Sequence, residues 1–318
     1  MPNDLPQPVQ VVAGVLVDAR GRILLARRTA GRDLAGAWEF PGGKLERDET
    51  ALHGLDRELN EELGIRIHAA EPLISVPYAG NGKRIVLDVY RVTSFGGKPK
   101  GLEKQALAWA PPDKLTTYPM PPADRPVVAA LTQPDRCLIT PEPGIDIDAF
   151  LDRLERALRA GVRRVQLRAR SLDAAALAKL AGQVKARCDA HQAELLINGD
   201  AALASDLGCG LHLRSEQLLA CTRRPVPVTQ LLSASCHDAA ELEHAQAIEV
   251  DFALLGPLQA TATHPDRKAM GWTRFSRLRE TVALPIYALG GLRPDDITRA
   301  RQHGAQGIAA IRGLWPSD

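Results

Sequence analysis

Apolar positions in the first 130 residues follow two different periods. Continuous apolar runs at 9–17 and 23–28 predict strands joined by a turn at 18–22, and further strands are expected at about 72–78 and 84–93. Between these strands, four leucines recur at helical spacing and predict the buried stripe of a helix: Leu52, Leu55, Leu59 and Leu63. Gly64 is the expected C-cap of this helix, and a second helix is expected near Pro126. This half therefore reads as a mixed α/β unit.

The second half has a more regular pattern, in which short apolar runs alternate with helical stretches such as 147–160 and 172–190. The runs number eight and lie at 137–140, 164–168, 194–198, 210–213, 231–235, 252–256, 285–290 and 307–311. Alternating β and α units predict a compact (β/α)8 TIM barrel. Proline-rich stretches between the halves place the boundary near 131–136, giving domains at 1–132 and 133–318.

Composition narrows the function classes. A chain of 318 residues with 45% apolar and 25% charged residues is typical of a globular protein of about two domains. The net charge of +2 forms no basic stripe, which argues against a duplex nucleic-acid partner, and no secretory leader or membrane span is evident. Five scattered cysteines indicate reduced thiols and a cytoplasmic location. Cys236 precedes a histidine, so a Cys–His nucleophile and a small packed residue both remain open. The oligomeric state is not predicted.

The first helix carries the most informative chemistry. Glu61 and Glu62 follow Glu58 by three and four residues, which places the three carboxylates on one helical face. Clustered carboxylates favour Mg²⁺ or Mn²⁺, which in turn suit a phosphorylated substrate. A solvated face, with Arg57 and Glu61 as an ordinary i,i+4 pair, is the alternative. The glycine-rich turn before the helix and the leucine stripe opposite the acids favour a binding site.

The full pattern of this segment is Gly43, five residues, Glu49, seven residues, Arg57-Glu58-Leu59, one residue, Glu61-Glu62, one residue, Gly64-Ile65. It resembles the Nudix box, whose family hydrolyses nucleoside diphosphates linked to another group. The resemblance implies that Glu58, Glu61 and Glu62 bind the metal together with the Gly43 carbonyl. It also implies that Arg57 orients a ligand carboxylate and that Glu49 supports the loop.

Within that family, the first 130 residues are similar to the MutT type, through W-E-F-P-G-G-K at 38–44, L-E-K-Q-A-L-A-W at 102–109 and P-P-A-D-R-P at 121–126. This resemblance implies an α/β/α sandwich with a mixed sheet, and hydrolysis of 8-oxo-dGTP by water to 8-oxo-dGMP and diphosphate, which cleans the nucleotide pool. Glu103 would be a further metal ligand or base. The implied substrate-binding residues are Arg28, Phe40, Lys44 and Asp124. Asp124 stands where such enzymes often carry Asn, and a carboxylate cannot donate a hydrogen bond unless it is protonated.

The second half resembles the thiamine phosphate synthase/TenI family in its strand-end residues. The ligand site implied by this resemblance and by barrel phosphate sites comprises Gln166, Arg168, Asn198, Thr261, Thr263, Gly290, Gly291 and Arg312. Gly199 and Gln217 depart from the family, because its synthases carry magnesium-binding acids there, and Arg170 and His264 replace lysines. A thiazole or pyrimidine phosphate ligand is expected, with a non-synthase role favoured over synthesis.

Two alternatives to the MutT reading remain. The first unit could hydrolyse a thiamine-related diphosphate, which would give both halves a common pathway. Alternatively, the barrel could be a regulatory module that binds a ligand without turning it over.

Overall fold

The computed structural model describes residues 7–31, 33–80, 82–259 and 269–317. The chain divides into two compact units, the first ending at Gln133 and the second beginning at Pro134. Across these described ranges, no helix is long and apolar enough to cross a membrane.

The described residues of the first unit form seven strands and two α-helices. Its strands are β1 (Val9–Leu16), β2 (Ile23–Arg27), β3 (Trp38–Glu39), β4 (Gly42–Lys44), β5 (Arg66–Gly80), β6 (Lys83–Gly96) and β7 (Leu107–Ala110). Helix α1 spans Ala51–Leu63 and helix α2 spans Arg125–Thr132, with 3-10 turns at Pro112–Thr117 and Pro122–Asp124. One sheet has the order β4-β1-β6-β5, with β1 and β6 parallel, and the other has the order β3-β2-β7.

The mixed sheet separates two apolar layers, as predicted for an α/β/α sandwich. Because side chains alternate along β1, Val12 and Leu16 face α1, whereas Ala13 and Val15 face the cluster that contains α2. Strand β7 was missed by the sequence analysis, since a run of four residues carries little periodic signal. Strands β5 and β6 extend well beyond the predicted runs, because this hairpin continues into positions exposed to water.

Helix α1 begins and ends as its sequence predicts. The Thr50 hydroxyl accepts a hydrogen bond from the His53 backbone N–H at 3.4 Å, and Gly64 adopts the left-handed conformation with φ of 68°. The predicted stripe is corrected at one position, since Leu52 is 47% exposed. Ala51 packs against Leu55, Leu59 and Leu63 instead, because these four residues follow one another at steps of four and form one row along the helix.

The second unit is a closed barrel of eight parallel strands, which confirms the predicted (β/α)8 fold. Its strands are β8 (Arg136–Ile139), β9 (Arg164–Leu167), β10 (Glu194–Asn198), β11 (Gly210–Leu213), β12 (Leu232–Cys236), β13 (Phe252–Leu255), β14 (Ile286–Leu289) and β15 (Gly307–Ala310). The helices around them are α3 (Ile147–Arg159), α4 (Ala174–Ala190), α5 (Ala201–Asp206), α6 (Ser215–Ala220), α7 (Ala239–Ala247), α8 (Gly271–Arg279) and α9 (Ile297–Gln302).

A buried arginine fills the amino-terminal end of the barrel. The Arg164 guanidinium lies 4.1 Å from the Phe252 ring centroid, donates to the Tyr287 hydroxyl at 2.7 Å, and pairs with Glu194 at 2.6 Å. This end is therefore packed, and the opposite end, where the strands finish, is left for ligands.

Candidate functional site

The acidic face of α1 is partly buried. Glu62 is only 5% exposed, and its carboxylate accepts a hydrogen bond from the Gly42 backbone N–H at 3.2 Å. The pKa of Glu58 is raised by burial, and its neighbours Glu61 and Glu103 raise it further, while Arg57 opposes the shift. Glu61 is more open, with a side-chain exposure of 55%. These carboxylates therefore repel one another, which a bound cation would relieve.

Arg57 holds the start of this acidic face together. Its guanidinium binds both carboxylate oxygens of Glu49, at 3.0 and 2.9 Å, and the Lys44 carbonyl at 3.1 Å. A third nitrogen reaches Glu58 at 2.9 Å and Glu61 at 3.3 Å. Hydrogen bonds to these carboxylates raise the pKa of Arg57 above its ordinary value. These contacts are consistent with the predicted orienting role of Arg57 and supporting role of Glu49, and both roles stay predictions.

The main chain of strand β4 lies against these acids, and its first two positions have room only for glycine. A Cβ atom at Gly43 would lie 2.3 Å from the Glu58 carboxylate, and one at Gly42 would lie 2.1 Å from the Val12 carbonyl oxygen. The glycine pair therefore lets Glu58 approach the main chain at Gly43, which is the expected source of a carbonyl ligand. The Lys44 side chain, in contrast, is exposed.

Glu103 reaches the same site from the segment before β7. It lines a shallow pocket with Glu62, Arg28 and Glu39, and it is close enough to Glu58 to raise its pKa. Gln105, which the sequence analysis did not single out, fixes this segment. Its side chain accepts from the Glu103 N–H at 2.9 Å and donates to the Glu62 carbonyl at 3.0 Å.

The acidic side chains of α1, together with Glu103, fit a divalent cation. Glu58, Glu61, Glu62 and Glu103 offer the hard oxygen atoms that Mg²⁺ prefers. Within the described ranges, no three acidic, histidine or cysteine side chains are already arranged as a metal site. A preformed cluster is not required, because Mg²⁺ is commonly held by one or two carboxylates together with water and substrate phosphates.

Arg28 and Glu39 line the other side of the pocket, and both charges are close enough to the buried Asp124 to shift its pKa. Arg28 is in an ion pair with Glu39 and donates to the Asp33 carbonyl at 2.6 Å. Asp124 is 6% exposed; burial and, secondarily, the Glu39 charge raise its pKa to about 8. The Phe40 backbone hydrogen-bonds to Asp124, whereas the Phe40 side chain is 3% exposed and packs in the core. A pKa of about 8 favours the protonated form of Asp124 at neutral pH, and only this form can donate a hydrogen bond.

The predicted ligand residues of the barrel are only partly brought together. Arg168 and Asn198 lie at the carboxyl ends of β9 and β10, whereas Gln166 is inside the barrel wall and 3% exposed. Gly290 and Gly291 follow β14 with φ of 114° and 75°, and Arg312 is exposed after β15. Thr261 and Thr263 lie outside the described residues, as does His264.

The Cys–His alternative is not supported. Cys236 is fully buried, and burial raises the pKa of its thiol well above the ordinary value. His237 instead contacts the Glu241 carboxylate through Nδ1 at 2.9 Å. The described contacts of the His212 ring are with two serines. It is buried between the hydroxyls of Ser233 and Ser235, and burial lowers its pKa to about 3.

Comparisons with known proteins match the two parts of the chain to two different families. Residues 12–130 match the NUDIX domain, and residues 137–314 match the family of thiamine monophosphate synthase (TMP-TENI). The first half is 43% identical over 122 residues to CTP pyrophosphohydrolase of Escherichia coli (strain K12), which covers 38% of this chain and 90% of that protein. The chain belongs to both families.

The barrel unit of this chain is similar to a separate set of proteins. It is 35% identical over 164 residues to the putative thiamine-phosphate synthase 2 of Aquifex aeolicus (strain VF5), covering 51% of this chain and 88% of that one. Among solved structures, the E. coli ORF135 protein is 42% identical, over 39% of this chain and 88% of its own, with a TM-score of 0.36. The Nudix unit is thus a hydrolase by family, and the barrel is similar to thiamine-phosphate synthases.

Proposed function

We propose that the Nudix unit is a Mg²⁺-dependent nucleoside triphosphate pyrophosphohydrolase, and that it converts 8-oxo-dGTP and water to 8-oxo-dGMP and diphosphate. The observation that carries the proposal is the pocket lined by Glu62, Glu103, Arg28 and Glu39, which joins the acidic face of α1 to the Arg28–Glu39 ion pair. A cation on the acids would neutralise the phosphate chain and activate a water molecule.

The residues of the chain have distinct parts in this reaction. Glu58, Glu61, Glu62 and Glu103 would hold the cation, and the Gly43 carbonyl would complete the set. Arg57 and Glu49 position Glu58 through a hydrogen-bonded ion pair, so that its carboxylate does not turn toward water. Arg28 offers positive charge beside the phosphates, although it shares that charge with Glu39.

Asp124 supports an oxidised purine as the substrate. A protonated carboxyl group can donate and accept at once, as the Asn expected at this position would. The pKa of about 8 supports this role, because it favours the protonated form, which can donate as well as accept a hydrogen bond. CTP is the second candidate, favoured by the identity to the E. coli CTP pyrophosphohydrolase. Since cytosine also offers donors and acceptors on its pairing edge, only a substrate comparison separates the two.

A thiamine-related diphosphate is a third candidate, favoured by the attached barrel. All three are distinguished by a hydrolysis panel on the full chain, with 8-oxo-dGTP, dGTP, CTP, thiamine diphosphate and its pyrimidine precursor as substrates. The proposal predicts the highest kcat/KM for 8-oxo-dGTP and release of diphosphate rather than phosphate. Faster hydrolysis of CTP or of a thiamine compound would overturn the assignment of the substrate.

The metal assignment has its own test. Glu62→Gln keeps the shape of the side chain but removes a negative charge, so we expect magnesium-dependent turnover to be lost while the fold persists. Glu71→Gln, at an exposed position of β5, is the matched control and should keep wild-type activity. Full activity in Glu62→Gln would contradict the assignment.

A further inference from the structure

Three arginines follow strands of one sector at the carboxyl end of the barrel. Arg168 and Arg170 follow β9, and Arg214 follows β11, while β10 runs between these two strands. Two strand spacings amount to about 10 Å, a gap that two arginine side chains can span. These residues therefore belong to one sector of the barrel mouth.

Gly199 and Gln217 lie at the centre of this sector. Gly199, at the end of β10, has φ of 77°, and the space for its side chain is already taken. A Cβ atom there would lie 3.0 Å from the Gln217 amide oxygen and 3.3 Å from Nε of Arg214. The Gln217 amide group donates to the Gly199 carbonyl at 2.8 Å, and its oxygen accepts from the backbone N–H and Nε of Arg214, both at 3.2 Å.

The donors at this point do not fit a divalent cation. The groups beside Gly199 are the Arg214 guanidinium, which is positively charged, and the Gln217 amide, whose oxygen accepts from that guanidinium. Neither supplies the anionic oxygen that Mg²⁺ prefers. The acids described near this point already have partners, and Glu142 pairs with Arg168 itself. Asp200 caps α5 through the Leu203 N–H at 3.0 Å, Glu142 binds Arg168 and Ser171, and Glu241 binds His237.

The same geometry favours an anion. Nε of Arg214 is fixed by Gln217, and within the described ranges its two terminal nitrogens bind no acceptor. Arg168 is half-buried, and burial followed by repulsion from Arg170 lowers its pKa, with Glu142 compensating only in part. A phosphate would relieve this repulsion and accept hydrogen bonds from both sides of β10.

We propose that the carboxyl end of the barrel binds the phosphate groups of a small ligand without a metal ion, with the Arg214 guanidinium supplying the positive charge beside Gly199. The site is formed by Arg168, Arg170 and Arg214. The ligand class is a phosphate or diphosphate ester. This site lies in the barrel and does not depend on the substrate proposed for the Nudix unit.

Calorimetry on the full chain tests this proposal, with inorganic diphosphate as the probe, in EDTA and in excess Mg²⁺. We expect binding in EDTA with an affinity that Mg²⁺ does not increase. Arg214→Ala should weaken it about ten- to a hundredfold, the size expected for lost charge-assisted hydrogen bonds. Arg223→Ala, an exposed arginine in the segment leading into the amino end of β12, is the matched control and should bind within twofold of wild type.

Two further variants guard against a folding artefact. Arg214→Gln retains length and polarity, and Arg170→Ala changes an exposed side chain, so both should fold, as judged by thermal unfolding, and both should bind diphosphate more weakly. Binding only in the presence of Mg²⁺, no binding at millimolar diphosphate, or equal affinity in wild type and the Arg214 variants would each overturn the proposal.

Discussion

Replacing Asp124 by Asn tests whether a buried carboxyl group in the Nudix unit is protonated. Burial, with a smaller contribution from Glu39, raises the pKa of Asp124 from 3.8 to about 8, and Arg28 offsets this only in part. A raised pKa means that the folded state holds a proton that the unfolded state releases. Asp124 therefore favours folding below pH 3.8, and this contribution is lost as the pH rises toward 8.

The magnitude follows from the pKa interval. Each pKa unit corresponds to about 1.4 kcal/mol, so the roughly three units between 3.8 and pH 7 amount to about 4 kcal/mol of lost stability. Asn has nearly the same shape, carries no charge, and can still accept the hydrogen bond from the Phe40 backbone. The variant should be close to wild type in stability near pH 4 and more stable by a few kcal/mol at pH 8.

Native-state hydrogen exchange of the α2 amides, corrected for the intrinsic exchange rate at each pH, measures this difference. Barrel amides in the same sample are the internal reference, because the two units need not unfold together. Asp113→Asn, at an exposed carboxyl group in the same unit, is the matched control and should show no pH-dependent gain. A stability difference that stays constant from pH 5 to 9 in Asp124→Asn would refute the reasoning.

Three further variants test the local geometry. Gly43→Ala places a methyl group against the Glu58 carboxylate, so kcat should fall about a hundredfold, whereas wild-type kcat would contradict the close approach. Gln105→Ala releases the Glu103 segment; we expect about 1 kcal/mol of lost stability and a lower kcat/KM, and an unchanged kcat/KM would show that the tether is dispensable. Gly64→Ala strains a left-handed residue and should cost about 1 kcal/mol in urea unfolding without changing kcat.

Local sequence patterns were sufficient for both folds and for placing the acidic residues on one helix. The eight barrel strands lie where short apolar runs predict them, because each run is bounded by its own turns and helices. The spacing of Arg57, Glu58, Glu61 and Glu62 likewise fixes their placement on one helix, whatever the rest of the chain does. The Gly64 cap is equally local, since it depends on one backbone conformation.

What the sequence by itself did not determine depends on residues distant along the chain. Leu52 fits the helical stripe but is exposed, because the sheet covers the row that begins at Ala51. The protonation of Asp124 depends on burial and on Glu39, which lies 85 positions earlier. The charge at the barrel mouth depends on Gln217 turning Arg214 toward Gly199. Periodicity fixes which elements form, whereas burial and electrostatic fields arise only when those elements pack, and they decide the chemistry of each side chain.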